Sequence, residues 1–251
     1  MPSANSIIYS SEHPLYETSL TQREAVGTKW VLGGRVFVYA SMYDTTAIGA
    51  HKLAQQCPPV ANHVTETGTL TGTTTVGSKR VTITLGATAA YAGEYNNGYL
   101  KIESATTGVG EMMKLKGHAA VASAGVLTSD LYDPWVVATS GTTTWSLVHE
   151  KWASVVIQPT TITAPAAGVT LCAWAAATST APNFGWLQTA GIASCLMDTT
   201  AVVAGSGLIV GAVAGTLGVA VETDIKQRIA VAVEAMTTDN VYVTADLMIA
   251  F

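Results

Sequence analysis

Threonine, valine, alanine and glycine dominate this chain, while Leu, Lys and Glu, the usual filling of helices, are scarce. β-branched side chains fit a pleated surface and lose freedom in a helix. Glycines recurring every few residues interrupt helices and close tight turns. That texture confines the 251 residues to short strands joined by turns, which predicts an all-β fold. Only 12% of the residues are charged and 49% are apolar. The chain can therefore bury a sizeable core, but it carries few groups able to move protons.

Period-two alternation marks the strands. In VLGGRVFVYASM, Gly33-Gly34 forms a turn, and Val36, Val38 and Ala40 then alternate with Phe37, Tyr39 and Ser41. YDTTAIGAHKLAQQ fits a short helix or another strand, and Pro58-Pro59 closes the region. In TVGSKRVTITLGA, Val81, Ile83 and Leu85 share one face, with Arg80, Thr82 and Thr84 on the other. In GEYNNGYLKIES, Asn96-Asn97-Gly98 supplies a turn before a strand from Tyr99 to Ile102. EMMKLKGHAAV, SDLYDPWVVAT and TTTWSLVHE are further strand candidates, bounded on the far side by Pro159 and Pro165. GVTLCAWAAAT and NFGWLQTAGIASCLM follow. The chain closes with a hairpin, in which IAVAVEAM and VYVTADLMIAF flank Thr237-Thr238-Asp239-Asn240. In its last strand Val241, Val243, Ala245, Leu247, Ile249 and Phe251 share one face, which reads as core.

The Val/Ala texture on both sides of a Thr-rich block, with prolines at its borders, predicts two β-barrel- or sandwich-like domains. Residues 31–60 plus 169–251 form a discontinuous β domain, and residues 61–168 form an inserted one. Residues 1–30 read as an extended N-terminal arm, polar and Ser-rich. They still contain Ile7, Ile8, Tyr9, Leu15, Tyr16, Leu20 and Trp30, more apolar anchors than a purely disordered tail holds. The arm is expected to be mobile in the free protein and ordered against a partner, with core patterning starting near Val31. It has no basic start and no continuous apolar stretch of the secretory kind, so folding in the cytoplasm is expected. Residues 201–221 carry no charge, and Gly207, Gly211 and Gly215 fall at GxxxG spacing. Gly205 and Gly218 add further breaks, and aromatic or basic anchors are missing from the ends, so short strands fit better than a membrane span.

The chemistry-bearing residues are dispersed. A net charge of −5 offers no basic stripe for nucleic acid. Cys57, Cys172 and Cys195 are odd in number and widely spaced, which reads as reduced, buried thiols. His13, His51, His63, His118 and His149 never fall at ligand spacing to one another, so each reads as a surface or rim residue. Gly205-Ser206-Gly207 with Gly211 misses both the dinucleotide-binding and the nucleophile-elbow spacing. Asp130, Asp133 and Glu150 read as turn and cap residues around Pro134. No catalytic, cofactor-binding or metal residue is assigned, no cofactor is expected, and the chain is not expected to be an enzyme. Trp30, Trp135, Trp145, Trp152, Trp174 and Trp186 are large anchors, mostly for the core. One or two at a rim would suit an assembly surface or a sugar platform.

Two stretches carry a resemblance. Gly33-Gly34-Arg35-Val36-Phe37-Val38-Tyr39-Ala40 and Phe184-Gly185-Trp186-Leu187-Gln188-Thr189-Ala190-Gly191 resemble strands of tailed-bacteriophage virion proteins. Arg228-Ile229-Ala230-Val231-Ala232-Val233-Glu234-Ala235 and SDLYDPWVVA are similar to further segments of that group. The resemblance implies a bacteriophage structural protein of the capsid exterior, a decoration or cement protein that stabilises the shell. Its implied partners are the major capsid protein and copies of itself, as a homotrimer, with no direct contact to nucleic acid or membrane. It supplies no site residues. A carbohydrate- or receptor-binding β domain of a phage fibre is the alternative, although no repeat or stalk is visible.

Overall fold

The computed structural model describes residues 7–8, 15–68, 70, 75–139, 143–178, 180–198, 201–221, 223–224, 227–238 and 241–249. Among them there are strands and turns and no helix. In chain order the strands are β1 (Ile7–Ile8), β2 (Lys29–Leu32), β3 (Arg35–Met42), β4 (Leu53–Gln55), β5 (Glu66–Gly68), β6 (Arg80–Thr84), β7 (Tyr99–Ser104), β8 (Met112–Gly117) and β9 (Val126–Leu131). They continue with β10 (Thr143–Val148), β11 (Val156–Ile157), β12 (Ala166–Thr170), β13 (Asn183–Leu196), β14 (Gly207–Val210), β15 (Leu217–Val219), β16 (Ala230–Ala232) and β17 (Tyr242–Met248). The chain divides into two compact units, residues 1–58 with 151–251 and residues 59–150. Both are curled, essentially antiparallel sheets of the barrel or sandwich kind.

In the discontinuous unit the order is β1-β2-β3-β13-β17-β16-β14-β15, with β12 beside β13 and β4, and β11 beside β4. Only β1 and β2 run parallel among the paired strands. Gly33 and Gly34 both hold positive φ, +57° and +79°, and Leu32 faces Arg35 across the two-residue turn. Such a turn matches the natural twist of paired strands. β13 is shared. Its first half lies along β3 from Met42 to Val36, and its second half lies along β17 from Met248 to Tyr242. β17 alternates as its sequence predicts, with Val243, Ala245, Leu247 and Ile249 buried; Phe251 lies outside the described residues. Its pairing with β16 aligns Ala230 with Leu247, so the connection is longer than the four-residue turn expected. Glu234 ties this connection, accepting the Thr244 N–H at 2.8 Å and its hydroxyl at 2.7 Å. Residues 201–221 form the β14–β15 hairpin. No helix among the described residues is long and apolar enough to cross a membrane.

In the second unit the order is β5-β10-β7-β8-β9-β6, all antiparallel. Its strands alternate cleanly. Val81, Ile83, Leu100, Ile102, Met113, Leu115, Leu127, Leu131, Trp145 and Leu147 point into one core with Tyr95 and Trp135. Gly86, just past β6, approaches Asn62 and Glu66 beside β5, closer than a Cβ would allow. The two edge strands thus converge at that end, which curls the sheet toward a barrel.

Several expectations need correction. The far border falls after Glu150 rather than at 168, because β11 and β12 pair with β4 and β13 of the discontinuous unit. Pro159 and Pro165 mark a loop inside that unit, not its edge. YDTTAIGAHKLAQQ contains only β4 and no helix. In SDLYDPWVVAT the strand stops at Leu131, and Trp135 then turns into the core. Residues 15–30 are not a detached arm. Leu15, Trp30, Phe37, Tyr39, Leu171, Phe184 and Trp186 form one buried aromatic cluster. Ser19 and Phe184 exchange backbone hydrogen bonds of 2.9 and 2.8 Å. Leu15 packs from a loop and so has no period to read, while Trp30 packs from β2.

Gly191, at the point where β13 changes partner, has φ +78°, and a Cβ there would lie 2.6 Å from the Gly34 carbonyl oxygen. Gly34 has nearly the same φ with open space around it. Gly34→Ala is therefore expected to lose about 1–2 kcal/mol from left-handed strain alone. Gly191→Ala should lose clearly more in urea unfolding; equal losses would count against the close approach.

Candidate functional site

Three of the five histidines meet in the second unit, brought together by loops rather than by sequence spacing. His63 precedes β5, Tyr95 precedes β7, His118 follows β8 and His149 follows β10. His63 is fully buried, and its Nδ1 lies 2.5 Å from the Tyr95 hydroxyl, while its Nε2 lies 2.9 Å from the Thr88 carbonyl. A carbonyl only accepts, so Nε2 carries the proton and Tyr95 donates to Nδ1. The Tyr95 backbone N–H donates to His118 Nε2 at 3.1 Å, and His118 Nδ1 donates to the Ala119 carbonyl at 2.7 Å. His149 Nε2 lies 3.3 Å from Glu94 Oε1, and Glu94 Oε2 accepts the Tyr91 N–H at 3.1 Å. The His149 and Tyr95 rings stand 4.5 Å apart.

Each of these bonds closes on the chain's own loops, so the cluster is a polar core that ties β5, β7, β8 and β10 at one end of the sheet. The expectation of surface or rim histidines is thus wrong for His63 and His149, both buried, while His118 and His51 are half-buried. His13 lies outside the described residues. Burial pushes the His118 imidazole below its usual range, opposed by the Ala119 carbonyl and by Glu94 and reinforced by His63. That neutral state is the one able to accept the Tyr95 N–H.

The other candidates stay apart. Asp130 lies on the outer face of β9, across from Arg80, and Asp133 lies in the turn that follows. Glu150 follows β10, with β7 and β8 between β10 and β9. Strands spaced about 4.8 Å apart put it roughly 14 Å away in the sheet. Ser206 sits in the turn before β14. The three thiols are free of disulfides, and burial pushes Cys195 up to about 12. No group of His, Cys, Asp or Glu among the described residues is arranged to hold a metal ion. All six tryptophans are buried, which removes the rim tryptophan and the tryptophan sugar platform from consideration.

What the second unit offers a partner is the outer face of β7, β8 and β9. Strand alternation that buries Leu100, Met113 and Leu115 turns Tyr99, Lys101, Met112, Lys114 and Lys116 outward. The Lys114 ammonium stands 6.0 Å from the Tyr99 ring centre and 5.5 Å from that of Tyr132, with Lys116 5.6 Å from Tyr132. Tyr132 donates its hydroxyl to Asn97 Oδ1 at 2.8 Å. Met112 adds exposed apolar surface on β8. Two lysines, Lys114 and Lys116, gathered over two aromatic rings form a small cationic cluster on a chain of net charge −5, beside the Lys101–Glu103 ion pair at 3.5 Å. Sequence reading missed this face because its members are adjacent only across strands. No protein-family model matches the chain, and no curated protein or solved structure matches it either.

His118 sets the direction of the unit's pH dependence. Its folded pKa lies below the usual imidazole value, near 6.5, so above that value it is neutral folded or unfolded and its full contribution is present. As pH falls, the unfolded chain takes the proton first and the contribution is lost. Melts followed by the buried Trp135 and Trp145 should show falling stability from pH 7 toward pH 5. His118→Asn, which keeps an acceptor but cannot titrate there, should flatten that slope. An unchanged slope would exclude His118 as its source.

Proposed function

We propose that this chain is a structural virion protein that binds and stabilises the capsid shell of a tailed bacteriophage, a decoration or cement protein and not an enzyme. The observation that carries the reading is the arrangement of the segments that resemble such proteins. Residues 33–40, 184–191 and 228–235 are far apart in the chain, yet they supply β3, the first half of β13, and β16. β3 is bonded to β13, and only β17 stands between β13 and β16. Three of the four resembling segments thus fall on one sheet, as shared architecture would give, while the fourth, residues 129–138, lies in the second unit at the end of β9.

The partners in this reading are the major capsid protein and further copies of the chain, as a homotrimer at a shell symmetry axis, on the exterior of the virion. The Lys–Tyr face of β7–β9 suits the shell contact, where it would meet an acidic surface. Exposed, unpaired ammoniums favour such a contact through rate and specificity. A rigid all-β body with an antiparallel core suits a protein that must hold its shape on a shell under pressure.

Cryo-electron microscopy and mass spectrometry of purified particles of the phage that encodes the chain test the reading. The chain should appear on the outer surface in a fixed ratio to the major capsid protein; its absence from intact particles overturns the proposal. In particles made with Lys114→Glu and Lys116→Glu together, occupancy should fall about tenfold with the melting temperature unchanged. Full occupancy would remove the Lys–Tyr face from the contact.

A further inference from the structure

The discontinuous unit holds a groove that none of the preceding contacts uses. It opens where β13 leaves β12 and β3 and takes up β17, so the sheet parts beside Gly191. The opening encloses about 250 Å³. Its floor is apolar, formed by Val169, Leu171 and Ala193, with Ile192 exposed at one side. Of its polar residues Thr170, Gln188 and Thr244 are bonded within the chain, and four others come from separate stretches: Tyr16, Arg35, His51 and Ser194.

Those four groups are available. Among the described residues, the Arg35 guanidinium makes no ion pair, and its central carbon rests 4.9 Å above the buried Phe37 ring. The hydroxyls of Tyr16 and Ser194 and the His51 ring nitrogens have no hydrogen-bond partner among the described residues either. The His51 backbone is pinned in an unusual state. Its φ is +58°, its N–H donates to the Thr170 carbonyl at 2.9 Å, and its carbonyl accepts the Leu196 N–H at 3.0 Å. Its ring stands edge-on to Tyr242 at 5.3 Å. A non-glycine residue persists in that conformation only where its surroundings impose it, and such strain concentrates at binding sites.

The chemistry selects a ligand. One guanidinium presents parallel donors that match a carboxylate. The second charge of a dianion would find no other lysine or arginine lining the groove, and it would meet Glu234, which accepts the hydroxyl of the lining Thr244. Two hydroxyls and an imidazole suit neighbouring ligand hydroxyls. The apolar floor suits a C–H face, and the volume admits a single ring. We infer that this groove binds the acidic sugar unit of a polysaccharide, a uronic-acid-type ring. Its carboxylate lies on Arg35, its hydroxyls face His51, Tyr16 and Ser194, and its apolar face lies on the floor, flanked by Ile192. The inference rests on the groove alone and stands or falls independently of capsid binding.

Titration of the full chain with glucuronic acid, glucose, acetate and inorganic phosphate, followed by heteronuclear NMR, tests it. Glucuronic acid should shift the resonances of Arg35, His51, Ile192 and Ser194, with glucose and acetate at least tenfold weaker. Arg35→Gln should weaken glucuronic acid binding about tenfold or more, the loss of one charge-assisted pair, and leave glucose unchanged. Ser194→Leu, at an exposed position of β13, should obstruct the groove and serves as the second variant if Arg35→Gln fails to fold. Absence of shifts with glucuronic acid, shifts located elsewhere, or insensitivity to both variants overturns the inference. Equal or tighter binding of acetate or phosphate overturns it as well, since that is the behaviour of a bare anion site.

Discussion

The discontinuous unit depends on how β13 survives its change of partner. Where a strand leaves one neighbour for another, backbone carbonyls lose their ladder, and buried carbonyls left unpaired are costly. Gln188 supplies the missing donor. Its buried amide nitrogen reaches the carbonyls of Ala190, Gly191 and Ile192 at 3.1, 3.3 and 2.9 Å. The register against β3 shifts at the same place, between Gln188 and Ala190. Gly191 then takes the left-handed conformation that redirects the strand. One side chain and one glycine thus let a 14-residue strand serve two neighbours. The aromatic cluster around Trp30 and Trp186 packs on its first half, and the aliphatic core around Cys195 and Leu247 packs on its second. The groove is the by-product of the same fork.

The second unit solves a different problem. Its strands are short and mostly alternate, with register shifts at Thr144/Trp145 and Leu115/Gly117 taking up the irregularities. Its difficulty lies at the strand ends, where long connections must be held. The His63–Tyr95–His118 chain does this with imidazoles that engage both ring nitrogens, His118 accepting on Nε2 and donating from Nδ1. A lysine or a carboxylate could not play both parts. The cluster therefore looks catalytic in composition while its geometry is that of a fastening.

Elements with a period of two were legible in the sequence: the faces of β3, β6 and β17, the Gly33-Gly34 turn, and the all-β class. Periodicity reports which face is buried, and β6 and β17 bury one face; β3 alternates in sequence but buries both, Phe37 and Tyr39 in one cluster and Val38, Ala40 and Met42 in another. It does not report which strands are neighbours. That is why the border at 150 escaped: β11 has two residues and β12 is buried throughout, so neither alternates. Leu15 escaped because a loop packed on a sheet has no repeat. The histidine cluster joins positions 32 and 55 residues apart, and no local spacing rule reaches that far. The groove gathers Tyr16, Arg35, His51 and Ser194 through pairings that only the completed sheet defines.

The polar groups of this chain fall into two populations, and the division separates structure from function. Many of the buried ones close on the chain itself. Gln188 spans the kink, His63 holds Thr88 and Tyr95, and Gln158 donates to Gln55 at 3.0 Å. Truncating any of them leaves a desolvated partner, so the effect must appear in stability. The outward ones, Arg35, Lys114 and Lys116, rest on aromatic rings and keep their donors turned toward solvent. Exposed cations of this kind contribute little to folding. Their arrangement over rings nevertheless fixes their positions, which lowers the entropy lost when an anion is met. In a chain with so few charges, ammonium and guanidinium groups held in place without a partner are the features that folding alone does not require.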